Sequence, residues 1–174
     1  MAVETKTRYT FEDNDNLAKE LSELIAQGIN IGDEIAIDEN VWRVLEKDNG
    51  WIRIWLCRGR SEDMVFDKNG SNNYEKSSIR EYLHGEYRET VPQGLLKLTH
   101  GSDFELLSKE EVERLMPEEI QRIHCDENGD TQWWWTRSAN RAYAYYVWYV
   151  LTSGLVDYYD ALHANRCAPS VFIK

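Results

Sequence analysis

The sequence has few of the residues that mark disulfide-rich, proline-rich or membrane-spanning proteins. Its 174 residues include three prolines and three cysteines, and Cys57, Cys125 and Cys167 are widely spaced. An odd number of distant cysteines does not indicate a disulfide framework. No apolar run approaches the roughly 18 residues of a membrane-spanning helix, so no membrane insertion is expected. The polar N-terminal stretch also lacks the apolar segment of a secretory signal peptide.

Recognisable catalytic and metal-binding motifs are also missing. The four histidines show no zinc-binding spacing, and no glycine-rich phosphate loop is present. The loops 67–73 and 126–131 resemble calcium loops, but their glycine stands at the fourth position and the bidentate glutamate is absent. Solvated turns are the better interpretation. His124 and Cys125 are adjacent without any local signature of a nucleophilic cysteine. We therefore predict no catalytic residue, no metal and no cofactor.

Acidic residues outnumber basic ones, and they are unevenly distributed. The chain has 20 Lys and Arg against 31 Asp and Glu, a net charge of −11. Residues 131–174 contain four basic and two acidic residues, which leaves 16 basic and 29 acidic residues, a net of −13, in the first 130. Such a surface repels nucleic acids and anionic membranes, so a nucleic-acid partner is not expected.

Local patterns predict an α+β fold formed by one domain. The Lys47–Gly50 turn signal predicts a hairpin between residues 41–46 and 51–56. Helices are predicted over residues 14–28 and 77–87 and after a capping box formed by Ser108 and Glu111. We expect two main helices packed on short, mostly antiparallel strands with long loops. The N- and C-terminal strands are expected to pair.

Aromatic residues are concentrated near the C-terminus. Four of the seven Trp and six of the ten Tyr lie between residues 133 and 159. Three successive rings on a strand point to alternate faces, so at least one of Trp133–Trp135 should enter the core, with Trp134 favoured. Arg137 is expected to pair with a carboxylate or with backbone carbonyls.

Residues 142–165 interleave two kinds of side chain. Small or apolar residues suited to a fixed scaffold alternate irregularly with Tyr, Asp, His and Asn, whose codons differ only at the first base. One interpretation is an ordinary Tyr-rich sheet with a half-buried outer face. The other is a binding surface, because Tyr provides rigid contact area while Asp, His and Asn provide adaptable hydrogen bonds.

The same segment resembles a known family. The runs WWWTRSANRAYAYYVWYVLTSGLV and ANRCAPSVFIK resemble the variable region of the target proteins of diversity-generating retroelements, which have a C-type-lectin fold akin to that of formylglycine-generating enzymes. VWRVLEKDNGWIRIWL, NNYEKSSIREYLHGEY and FELLSKEEVERL resemble the body of that domain. The resemblance covers residues 32–174 and implies a C-type-lectin-like domain there, with a variable ligand-binding segment at about 137–165. Residues 1–31, which include the first predicted helix, are then expected to be an N-terminal extension.

In that family, adenine-directed mutagenesis diversifies chosen codons, and the encoded residues form a ligand-binding surface on a fixed scaffold. The positions that match this pattern are Tyr143, Tyr145, Tyr146, Tyr149, Leu151, Leu155, Asp157, Tyr158, Tyr159, Asp160, Leu162 and His163. The positions that match the family's fixed residues are Val147, Trp148, Val150, Arg166, Cys167, Ala168 and Pro169.

The resemblance implies a receptor-recognition protein without enzyme activity. Its partner would be an unknown macromolecule, a cell-surface protein or glycan of a host. One alternative is an enzyme of the formylglycine-generating type, which would need accessible thiols or histidines close in space. Another is a structural virion component without a ligand. Because no signal peptide is recognised, we expect a virion-associated or cytoplasmic protein.

Overall fold

The computed structural model describes residues 6–174. In it the chain forms two β-sheets with helices packed around them. This confirms the predicted α+β class. The strands are β1 (Arg8–Phe11), β2 (Glu34–Ile37), β3 (Asn40–Asp48), β4 (Trp51–Arg58), β5 (Asp63–Val65), β6 (His124–Cys125), β7 (Thr131–Gln132), β8 (Trp134–Ala139), β9 (Tyr146–Val150), β10 (Val156–Asp160), β11 (Ala164–Arg166) and β12 (Ser170–Ile173). The α-helices are α1 (Leu17–Gln27), α2 (Ser78–His84), α3 (Glu86–Thr90), α4 (Gln93–Leu98) and α5 (Lys109–Leu115).

The first sheet has the strand order β1-β2-β3-β4-β6-β7, and β12 also pairs with β4. The predicted hairpin is confirmed as β3 and β4. Asn49 and Gly50 both adopt positive φ angles, 49° and 83°, which suits the tight turn of a twisted hairpin. β4 is buried on both faces from Ile52 to Cys57, which makes it the central strand of the molecule.

The predicted pairing of the terminal strands is wrong. β1 pairs in parallel with β2, and β12 pairs antiparallel with β4, so β2, β3 and β4 lie between β1 and β12 within one sheet. The reason is side-chain chemistry: Arg8 lies 2.7 Å from the buried Glu34 carboxylate, whereas Val171 and Ile173 are apolar and pack in the core beside β4.

The second sheet has the order β10-β9-β8-β11-β5. β9 pairs antiparallel with both β8 and β10, and β11 lies parallel to β8 but antiparallel to β5. Most of the predicted variable segment therefore lies in one sheet, and β10 forms an edge of it.

The helices follow the sequence signals in part. α1 buries Leu17 and Leu21, and Gly28, with φ of 104°, follows its last residue. The predicted helix over 77–87 is divided at Gly85 into α2 and α3. The predicted capping box is confirmed at the start of α5, and α4 was not predicted. Within residues 6–174, the helices are too short or too polar to span a membrane.

Two groups of buried apolar side chains form the core, and the Trp run contributes to both. Trp134 and Trp135 are fully buried in different groups, whereas Trp133 is 38% exposed. The alternation of side chains along an extended strand explains this division and confirms the prediction for Trp134. Leu17 and Leu21 of α1 lie in the same group as Trp135, so α1 shares a core with both sheets. The division between 1–31 and 32–174 stays a prediction, and residues 1–5 lie outside the described part.

Candidate ligand-binding surface

The twelve positions predicted to bind ligand differ in exposure. Eight are exposed: Tyr143, Tyr145, Leu155, Asp157, Tyr158, Tyr159, Leu162 and His163. Three are half-buried: Tyr146, Leu151 and Asp160. Tyr149 is 4% exposed, so the expectation that its side chain stands in solvent is wrong.

The register of β9 and β10 places these side chains on two opposite faces. Tyr158 pairs with Trp148, while Tyr159 pairs with Val147 one residue away. Paired residues share a face, and neighbours along a strand do not. The Tyr146 face consists of Tyr143, Tyr145, Tyr146, Trp148 and Tyr158, and the Tyr159 face consists of Trp133, Tyr149, Tyr159 and His163.

The rings of the Tyr146 face contact one another edge to face or tilted. The ring centroids of Tyr145 and Tyr146 lie 4.5 Å apart, and those of Tyr146 and Tyr158 lie 5.5 Å apart. Trp148 meets Tyr158 edge-on at 5.2 Å, and the Lys109 ammonium lies 5.1 Å from the Trp148 ring centre. These distances suit aromatic pairing and a cation–π contact, so the face is an ordered array of rings.

The Tyr159 face has its own ring array. The Tyr159 and His163 centroids are 4.4 Å apart, and the Trp133 ring lies 5.6 Å from Tyr149. Tyr149 also packs against the buried Trp135, which explains why it is hidden. Burial raises the pKa of the Tyr149 hydroxyl above its usual value. Tyr149 therefore supports the exposed rings from below.

The turn between β9 and β10 is fixed against the body of the protein. The Leu151 N–H donates to the Leu155 carbonyl at 2.9 Å, which closes the turn. Gly154 has φ of 88°, and a Cβ atom there would clash with the backbone of Glu119. Only glycine meets both conditions. Leu155, at the end of this turn, is 50% exposed.

Acidic groups accompany the rings, and backbone bonds fix their positions. The Asp157 carboxylate accepts the Tyr158 N–H, and the Asp160 carboxylate accepts the Leu162 N–H, both at 2.8 Å. Residues 142–165 contain no Lys or Arg. The segment therefore presents aromatic rings and negative charge.

An ion-paired cluster holds the start of the segment in place. The Arg137 guanidinium donates to the Glu111 carboxylate and to the Leu106 carbonyl, both at 2.7 Å, which confirms the expected role of Arg137. Arg53 donates to the same carboxylate at 3.1 Å. Burial alone would raise the pKa of Glu111, but the hydrogen bonds from the two arginines lower it to about 2. The cluster links β8, β4 and α5.

Two exposed or half-exposed rings were missed by the sequence analysis. Trp133 was considered only as one of three rings that could enter the core, and Trp148 was assigned to the fixed scaffold. Both take part in the ring arrays. Alternation along WWW places Trp133 on the same side as Trp135, but it does not show that the Trp133 ring lies at the exposed edge of the core.

The thiols lack the features of an active nucleophile. All three cysteines are free. Burial raises the pKa of Cys57 to about 11 and also raises the pKa values of Cys125 and Cys167. A reactive cysteine needs a lowered pKa and access to solvent.

His124 forms a buried pair with Ser61. Its Nε2 lies 3.0 Å from the Ser61 hydroxyl oxygen, and its Nδ1 lies 3.0 Å from the Leu56 carbonyl oxygen. Burial lowers the pKa of His124 to about 4. The ring is fully buried, so it is out of reach of a substrate.

The two loops with calcium-like composition use their first carboxylates internally. Asp67 accepts N–H bonds from Asn69 and Ser71, and Asp126 does the same within its own loop. Carboxylates that cap their own turns are typical of solvated loops.

One cluster within residues 6–174 brings three metal-type ligand atoms within 4.8 Å of one another, on His84, Asp103 and Glu105. The Glu105 carboxylate already accepts a hydrogen bond from the Tyr74 hydroxyl and lies 3.6 Å from the Arg80 guanidinium. A cation there would compete with Arg80. The cluster is better explained as an internal ion-paired network.

Comparison of the chain with family models, with curated proteins and with solved structures finds no match. Its function must therefore be inferred from the exposure and chemistry of the two ring-bearing faces.

Proposed function

We propose that this chain is a ligand-binding protein whose Tyr-rich surface is diversified by a retroelement. The observation that carries the proposal is the division of residues 142–165 by burial. Most positions matching the family's variable residues are exposed, whereas the interleaved Val147, Val150 and Ala161 are fully buried and Gly154 is fixed by its backbone. This is the arrangement that a variable surface on a constant support requires.

Stability considerations support this assignment. Replacing an exposed side chain usually changes the free energy of unfolding by no more than about 0.5 kcal/mol, whereas truncating a buried one costs several-fold more. The exposed positions can therefore vary while the buried ones keep the hairpin in place.

The shape of the edge strand suggests how a partner would bind. Tyr158 and Tyr159 are neighbours on β10, they point to opposite faces, and they are 40% and 42% exposed. A partner that straddles this edge contacts both ring arrays at once. A standard interface of about 800 Å² per partner would be anchored by a few aromatic side chains, with the rest providing complementarity.

The proposal includes the C-type-lectin-like fold that the resemblance implies. The return of β12 to the central strand β4, after a second sheet with long loops, agrees with a domain whose chain ends in the sheet where it begins. The partner would be a cell-surface protein or glycan. The buried, high-pKa thiols disfavour the alternative of a formylglycine-generating-type enzyme.

Sequencing the gene and its neighbouring DNA from many independent isolates tests the proposal. We expect amino-acid differences to concentrate at the exposed positions, with Val147, Val150, Gly154 and Ala161 constant. We also expect a nearby repeat that differs from the gene chiefly at adenines, beside a reverse transcriptase gene. Evenly scattered differences with no such repeat would contradict the proposal and would favour a structural virion component without a ligand.

A further inference from the structure

A polar groove adjoins the Tyr159 face, and nothing above assigns it a role. It encloses about 310 Å³. Its walls include Asp63, Thr131, Gln132, Trp133, Thr152 and Asn165. These residues come from β5, from β7 and the residue that follows it, from the β9–β10 turn and from β11, so four distant parts of the chain meet there.

Asn165 provides the first indication that the groove receives a ligand. Its side chain is 2% exposed, and its amide nitrogen has no hydrogen-bond partner among residues 6–174. A buried donor without a partner costs about 1–3 kcal/mol. Such groups are rare in native proteins and call for an explanation. The nitrogen has almost no solvent contact in the free protein, so a ligand can accept from it only after the side chain turns its nitrogen toward the groove that it lines.

The remaining walls define the chemistry of the ligand. Trp133 offers an exposed ring, Thr131 and Thr152 offer hydroxyls, Gln132 offers an amide and Asp63 offers a carboxylate. A group that fits has an apolar face for the ring and several hydroxyls that both donate and accept. A pyranose sugar has both. The Asp63 carboxylate favours a neutral sugar over an anionic one.

Several contacts hold the groove ready for binding. The Gln132 amide donates to the Asp126 carboxylate at 2.8 Å, and the Trp133 carbonyl accepts the Arg166 N–H at 2.9 Å. The Trp133 ring is supported by Tyr149 and lies 6.2 Å from His163. Side chains fixed in this way lose little conformational entropy when a ligand binds.

We propose that this groove binds a neutral pyranose unit of a glycan, stacked on Trp133 and hydrogen-bonded to Asn165. The inference rests on the proposed function and narrows its partner to a glycan-bearing surface. The exposed rings of Tyr159 and His163, next to Trp133, would contact the adjoining parts of the same glycan.

The test uses the full chain labelled with 5-fluorotryptophan and followed by ¹⁹F NMR. Comparison with Trp133→Phe assigns the Trp133 signal. The probes are the methyl pyranosides of mannose, galactose, glucose and N-acetylglucosamine, each titrated to about 100 mM, where a ligand of millimolar affinity saturates its site. We expect at least one of them to move the Trp133 signal in a saturable manner.

Two variants locate the binding. Asn165→Leu should abolish the shift without lowering Tm, because it removes a buried amide that has no partner in the free protein. Asn165→Ser serves as a second variant if the leucine does not fold, and the shift should again be lost. Ile31→Ala is the control: it removes an exposed apolar side chain that lies outside both ring-bearing faces, and it should leave the titration unchanged.

The groove assignment is overturned if no pyranoside moves the Trp133 signal, or if the shift persists in both Asn165 variants. A partner that is purely protein would give the first of these results. The gene-sequencing test is independent of this titration. A diversified gene together with a Trp133 signal that no pyranoside moves would contradict the sugar site and leave the proposed function intact.

Discussion

Tyr149 and its neighbours on β10 give a sharp test of which aromatic residues support the surface and which form it. Tyr149 is 4% exposed and packs against Trp133, Trp135 and Tyr159. Truncating such a ring leaves a cavity, and Tyr149→Ala should lower the free energy of unfolding by about 4 kcal/mol. Tyr158→Ala should cost about 1 kcal/mol or less, since its exposed ring loses only edge contacts.

These energies convert to melting temperatures. For a domain of this size, 1 kcal/mol shifts Tm by about 2–4 °C, so Tyr149→Ala should lower Tm by about 10 °C and Tyr158→Ala by at most about 4 °C. Thermal and urea unfolding followed by circular dichroism would measure both. Tyr149→Phe keeps the ring and should stay close to the parent protein. Equal losses for the two alanine variants would refute the distinction between support and surface.

Three further predictions concern the scaffold. Glu34→Gln should lower the free energy of unfolding by about 2 kcal/mol, because it leaves Lys6, Arg8 and Arg43 facing a neutral group. Urea unfolding would measure this loss. His124 has a folded pKa of about 4 against an ordinary 6.5, so the unfolded chain binds the extra proton between those values. Stability should therefore fall by about 2 kcal/mol from pH 7 to pH 5, and His124→Gln should flatten that slope. Gly154→Ala should lower Tm by about 5 °C or more, because the new methyl group meets the Glu119 backbone at a positive φ.

Features that depend on neighbouring residues were predictable from the sequence. The Asn49–Gly50 turn needs only two residues with positive φ, and the Ser108–Glu111 capping box needs only one helical turn. Both are set by local chemistry, so the sequence pattern was sufficient. Gly85 shows the limit of such signals, because the predicted helix breaks there into two.

Long-range pairing was not predictable. β12 joins β4 more than 100 residues away, and β11 lies between β8 and β5. No local pattern specifies such partners, because each strand only has to present an apolar face of the right period. The wrong expectation about the terminal strands has this cause.

Only part of the candidate surface could be predicted from the sequence. Alternation shows that Val147 and Tyr149 share a face, but it does not show that this face meets the core through Trp135. The groove beside Trp133 was out of reach, because Asp63, Thr152 and Asn165 come together only through the pairing of β5 with β11 and the fixed β9–β10 turn.

Two displayed libraries would test the central claim most directly. One randomises the eight exposed positions of the surface, and the other randomises the buried Val147, Tyr149, Val150 and Ala161. Resistance to protease reports folding, and selection on immobilised lysozyme reports new binding. We predict that most members of the first library resist digestion and that selection recovers lysozyme binders from among them. Most members of the second library should be digested. Equal digestion of the two libraries would contradict the account.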